Sequence, residues 1–164
     1  MKVAILGALA LLLFTPAASI AEERSAAGAI ALTGESVSAG PLTLTELATY
    51  PSVEQDVRFQ TSKGEEAARY RGVLLWAVLE ARFGESMKGH NAALAHTFVV
   101  EGSDGYRIAF SFGEIAPDFG KAPILIATEV DGKPLVPGEG FRLVVPGDKR
   151  GARYVKDVVR IEVQ

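Results

Sequence analysis

The sequence predicts a mixed α+β domain that is mainly β. Many short β-rich runs are punctuated by Gly, Pro and Asp, and only one segment carries a clear helical apolar face. Full helices do not alternate with the strands, which argues against a doubly wound parallel sheet.

The first segment lies outside that domain. Met1-Lys2 precedes an uncharged apolar run from Val3 to Phe14, Pro16 breaks it, and Ser19-Ile20-Ala21 offers small residues before Glu22-Glu23. One positive charge, a short apolar core and a small-x-small exit describe a secretory signal peptide, residues 1–21, cut after Ala21. The run is shorter than the roughly 20 residues a membrane span needs, so a periplasmic or secreted protein with no stable membrane span is expected. Residues 22–164 then form a single domain, long enough to bury a sizeable core.

The elements follow in order. Ala29 to Leu32 reads as a strand ended by Gly34. Thr43-Leu44-Thr45-Glu46 fits a capping box, opening a short helix that stops before Pro51. Val57 and Phe59 alternate with polar neighbours in a half-buried strand, and Thr61 to Glu66 reads as a polar loop. Tyr70 to Gly72 leads into the main helix, with Val73, Trp76, Leu79 and Phe83 on one face and Gly84 as its cap. His90 to Ala95 is a loop or short helical turn. Thr97–Glu101 and Tyr106–Phe110 flank Gly102-Ser103-Asp104-Gly105 as a hairpin. Phe112 to Ile115 suits one helical turn. Pro123 to Thr128 is apolar throughout, which predicts a strand covered on both faces. Asp131-Gly132 is a turn, Phe141–Val145 a strand, residues 147–154 a basic loop, and Val155–Val163 a strand that closes a final hairpin.

Composition excludes several chemistries. There is no cysteine, so no disulfide, thiolate zinc site, iron–sulfur cluster or cysteine nucleophile. Without Lys2, 16 basic residues face 20 acidic ones, a net charge of −4, which disfavours nucleic acid as a partner. No phosphate-loop, zinc-protease or nucleophile-elbow motif occurs. His90 and His96 lack the helpers a metal site requires. Glu65-Glu66 and Glu114 with Asp118 read as solvated charges rather than a fixed acid/base pair.

One local signal remains. Lys149, Arg150, Arg153 and Lys156 crowd a stretch that also holds Gly147 and Gly151. Glycines let a backbone approach a ligand, and arginine and lysine meet phosphate as a fork and as a point charge. A small anionic ligand is the expected partner, against the alternative of a solvated basic turn.

The blocks Gly132-Lys133-Pro134-Leu135, Phe141-Arg142-Leu143-Val144-Val145-Pro146-Gly147 and Gly151, Arg153, Val155-Lys156 resemble the C-terminal half of the sulfite-oxidase-type molybdopterin-binding domain. Leu42 to Leu47, Gly72 to Leu75 and Gly102 to Tyr106 match upstream blocks in order and spacing. The resemblance covers residues 29–163. It implies the fold of that family, a molybdopterin cofactor, and a basic residue of the C-terminal loop on the cofactor phosphate. Arg153 matches that residue, with Lys156, Lys149 and Arg150 beside it. Catalytic members carry a cysteine thiolate on molybdenum where this chain has Thr61 or Ser62, and a hydroxyl is a far poorer ligand for that ion. Three readings follow: a pterin- or anion-binding domain without the usual metal centre, a molybdopterin-dependent oxidoreductase working with a redox partner, or a structural protein that kept only the fold.

Overall fold

A computed structural model describes residues 28–164 except Pro137; the expected signal peptide lies outside the described residues. The described chain folds into two five-stranded sheets, joined by three short α-helices and several 3-10 turns. No described helix is long and apolar enough to cross a membrane.

The first sheet runs β2-β1-β10-β5-β6, where β1 is Ala29–Thr33, β2 Gly40–Thr43, β5 Thr97–Gly102, β6 Arg107–Ser111 and β10 Val158–Val163. β1 and β10 are parallel, with Ala31 opposite Arg160; the other pairings are antiparallel. Strict alternation drives Ile30, Leu32, Phe98, Val100, Ile161 and Val163 into the core.

The second sheet runs β3-β4-β7, where β3 is Ser52–Thr61, β4 Gly64–Leu74 and β7 Leu125–Val130. β8 (Lys133–Pro134) and β9 (Arg142–Val144) share the far edge of β7. β7 is covered on both faces, as its apolar run predicts: Ile124 and Ile126 join the main core between the sheets, while Leu125 and Ala127 join a smaller cluster with Val57, Phe59, Tyr70 and Val144.

Of the helices, α1 (Leu44–Leu47) starts at Thr43, whose hydroxyl accepts the Glu46 N–H at 3.2 Å. The Glu46 carboxylate leaves the expected box and pairs with Arg82. α3 (Phe112–Ile115) carries a complete capping box between Ser111 and Glu114.

Three expectations are corrected. The polar loop at 61–66 shrinks to a two-residue turn, Ser62-Lys63, inside a ten-pair hairpin from Ser52↔Val73 to Thr61↔Gly64. Glu65, Ala67, Arg69 and Arg71 face outward while Tyr70 is buried, a period of two hidden by residues of low β propensity; pairing with β3 and β7 decides the outcome. The main helix, α2 (Leu75–Ala81), therefore starts two residues late, and Val73 belongs to β4. Finally, there is no closing hairpin: β9 lies in the second sheet and β10 in the first. Asp157 adopts φ of 44°, and a register shift between Val158 and Arg160 resets the alternation, so that Val155, Val158, Ile161 and Val163 are buried.

Candidate functional site

The crossing from β9 to β10 builds the site. The chain leaves the second sheet at Val145 and loops through Lys149 to Tyr154. It then returns beside its own start, where Leu143 and Val155 exchange backbone hydrogen bonds of 2.8 and 3.2 Å. Four attachments fix the loop. The Gln60 N–H donates to the Lys149 carbonyl at 2.9 Å. Gly151 lies against Phe59, where an added Cβ would come within 2.8 Å of two ring carbons. The Tyr106 hydroxyl donates to the Ala152 carbonyl at 2.5 Å. Tyr154 packs on Phe59 with ring centroids 4.2 Å apart.

Arg153 supplies the strongest anchor. Its Nε and Nη2 donate to the two oxygens of Asp148 at 2.7 and 2.6 Å, and its Nη1 donates to Glu114 at 2.8 Å. The guanidinium carbon lies 5.3 Å from the centre of the Phe110 ring. Hydrogen bonding to Asp148, ahead of that to Glu114, raises its pKa further above an already high value. Arg153, which the resemblance matches to the phosphate contact, donates three of its N–H groups to carboxylates of the same chain and lines neither of the two cavities that flank the loop.

Two cavities flank the loop. An open groove of about 790 Å³ is lined by Gln60, Thr61, Ser62, Lys149, Arg150, Gly151 and Ala152. A more enclosed cavity of about 230 Å³ is lined by Phe59, Thr61, Ser62, Lys63, Glu66, Tyr70, Arg142, Gly151, Tyr154 and Lys156. Thr61, Ser62 and Gly151 border both. The structure thus brings Thr61, Lys149 and Arg150 together in the groove, and Thr61 and Lys156 together in the enclosed cavity.

Sequence reasoning missed Arg142 and Tyr154. The Arg142 side chain is only 13% exposed. It donates to the Tyr70 hydroxyl at 3.0 Å and to Glu139 at 2.6 Å, but its Nε is buried without a partner. The Tyr154 hydroxyl is likewise buried and unpartnered, and burial, followed by the nearby Asp148 charge, pushes its pKa up to about 12. A buried donor without an acceptor costs free energy, and both orphans belong to residues that line the enclosed cavity. The signal was present: a single arginine interrupts the apolar run Phe141–Val145.

Several cations around these cavities have no carboxylate partner, as is also true of Lys121 and Lys133 elsewhere among the described residues. Lys63, Lys149, Arg150 and Lys156 have no carboxylate partner, whereas Arg58, Arg69, Arg71, Arg82, Arg107, Arg142, Arg153 and Arg160 are each paired within 4.0 Å. This donor set fits a phosphate-bearing group. It does not fit a thiolate-held metal. There is no cysteine, and the Thr61 hydroxyl is engaged in its turn, donating to the Gly64 carbonyl at 2.9 Å and accepting the Lys63 N–H at 3.1 Å. No cluster of three His, Cys, Asp or Glu able to hold a metal occurs among the described residues.

Mixed sheets with few helices, joined by a loop that crosses from one sheet to the other, make up the domain. The sequence profile of the oxidoreductase molybdopterin-binding domain matches residues 26–164, and the chain belongs to that family. The fold is similar to that of the sulfane dehydrogenase SoxCD from Paracoccus pantotrophus, with a TM-score of 0.65 and 18% identity; the match covers 83% of this chain and 38% of that one. Among curated proteins, none matches the chain.

Proposed function

We propose that this chain is an exported domain that binds a phosphate-bearing pterin, or a similar anion, in the cavities beside the β9–β10 loop, without a cysteine-ligated molybdenum centre. The carrying observation is the concentration of unpaired positive charge at Lys63, Lys149, Arg150 and Lys156, next to the buried, partly unsatisfied Arg142. Lys156 would hold the phosphate by a charge-assisted hydrogen bond. Phe59, Tyr70 and Tyr154 give the cavity flat apolar walls for a ring. Family membership supports molybdopterin as the pterin.

The test is purification of the native protein, followed by fluorescence of the oxidised pterin and mass-spectrometric metal analysis. Pterin or phosphate binding, weakened by about 1–3 kcal/mol in Lys156→Ala, supports the reading. Neither ligand bound at millimolar concentration would end it.

A second reading is favoured by the family itself: a molybdopterin-dependent oxidoreductase that acts with a redox partner protein. SoxCD, which shares the fold, is a sulfane dehydrogenase. Stoichiometric molybdenum together with pterin, and turnover with an artificial electron acceptor, would establish it over the binding domain. Export to the periplasm or medium is checked by N-terminal sequencing of the mature protein, with a start at Glu22 expected.

A further inference from the structure

We infer that two copies of this chain associate edge to edge, β3 of one pairing antiparallel with β3 of the other about a two-fold axis at Asp56. This association needs no ligand beside the β9–β10 loop.

Strand β3 is an edge of the second sheet. Its ten residues, Ser52–Thr61, include no proline, glycine or lysine, and its pairing with β4 runs without a bulge. Those are the devices that normally block an edge strand. The other sheet edges are short: β2 has four residues, two of them Gly40 and Pro41, β8 has two with Pro134, β9 three and β6 five. Gln60 shows which backbone groups of β3 face outward, since its N–H leaves the β4 ladder for the Lys149 carbonyl. Backbone direction alternates along a strand, so Glu54, Asp56 and Arg58 turn their N–H and C=O groups the same way. Among the described residues no strand pairs with them on that side. The bridge from Gln60 to Arg150 shows that this edge accepts a further segment, and the space left for one ends at Arg58.

The charges select a second copy as the occupant. Glu54, Asp56 and Arg58 are exposed and share one face of the strand. In a self-complementary antiparallel pair centred on Asp56, Glu54 of each copy stands opposite Arg58 of the other, and side chains directly opposite interact. Asp56 meets its own copy at the axis, but each is already neutralised by Arg69, whose Nε and Nη2 donate to its two oxygens at 2.8 and 3.1 Å. Glu54 has no ion pair among the described residues: Arg71, its neighbour on β4, turns instead to Ser52 and Glu129. Arg58 pairs with Glu65 and is still 69% exposed. Other registers fit less well. Centring on Gln55 sets Glu54 against Asp56 twice, and centring on Val57 leaves only Asp56 and Arg58 paired before Lys149 intervenes at Gln60. A wholly acidic or wholly basic strand would meet a like charge on this edge.

The experiment is analytical ultracentrifugation of the purified protein. Wild type should show a reversible monomer–dimer equilibrium at or below about 1 mM protein. Glu54→Arg and Arg58→Glu, each alone, place like charges opposite one another and should weaken the dimer about tenfold or more. An equimolar mixture of these two variants restores both opposed pairs and should dimerise as wild type does, a rescue that a folding defect would not give. Asp56→Pro removes an outward N–H that β4 does not use; this variant should be monomeric with a native circular-dichroism spectrum. Wild type that stays monomeric would overturn the inference, and so would a dimer indifferent to all three substitutions. Amides at 54–58 that resist hydrogen exchange in a monomer would assign the edge to another segment of the chain, with the same result.

Discussion

Arg153 grips Asp148 through two parallel hydrogen bonds that close the basic loop on itself, and a third bond carries the grip to Glu114 on α3. The loop is thereby fixed in place before any ligand arrives. Arg153→Ala would leave two partly buried carboxylates without a counter-charge, and stability should fall by about 1–3 kcal/mol. Arg153→Lys should recover only part of this, because an ammonium cannot form the fork. Urea denaturation of the three proteins is the check; an alanine variant as stable as wild type would show that the clamp contributes nothing.

Gly151 reports on the other side of the loop. Gly151→Ala places a methyl against the Phe59 ring and should cost about 1–3 kcal/mol by overpacking. Gly113→Ala is the control, since its nearest new neighbour would be 3.6 Å away. Thermal melts should separate the two, with only the first lowered by several degrees.

Tyr154 should make stability fall in alkali. Its folded-state pKa is raised from the ordinary 10.0 to about 12, so the folded protein holds the proton longer than the unfolded chain does. The resulting stabilisation is complete below about pH 10 and is lost as pH rises toward 12. Denaturation curves across that window should show a steeper decline for wild type than for Tyr154→Phe. Parallel declines would refute the assignment.

Thr61→Cys tests access to the shared wall. The variant loses the turn bonds of the hydroxyl and should be less stable by about 0.5–1.5 kcal/mol. Its thiol would be the only one in the chain and should react readily with an alkylating reagent. Phosphate at saturating concentration should slow that reaction, which mass spectrometry follows directly.

Much of this arrangement was legible in the residues. The hairpin at Gly102–Gly105, the buried run at 123–128, the cap at Thr43 and the helical turn at Phe112–Ile115 act locally, so local patterns reveal them. β4 was hidden because Glu65, Glu66, Ala67 and Ala68 suit a helix on their own and become a strand only between β3 and β7. The cluster of cations at 149–156 was visible as a cluster, but not its division of labour. Arg153 differs from Arg150 only through Asp148 and Glu114, and Glu114 is brought close by the tertiary fold. Arg142 was hidden for a related reason: an arginine in a strand looks solvent-facing until both faces of the sheet are covered.

The parallel pairing of β1 with β10 has a kinetic consequence. Strand β10 stands between β1 and β5, so without it the first sheet falls into two unconnected hairpins. Partners so far apart in sequence must meet across a large loop-closure entropy, which places folding in the range of about milliseconds to seconds rather than microseconds. No half of the domain has a complete sheet to stand on. Limited proteolysis should therefore yield either the whole domain or small peptides, with no stable fragment between them.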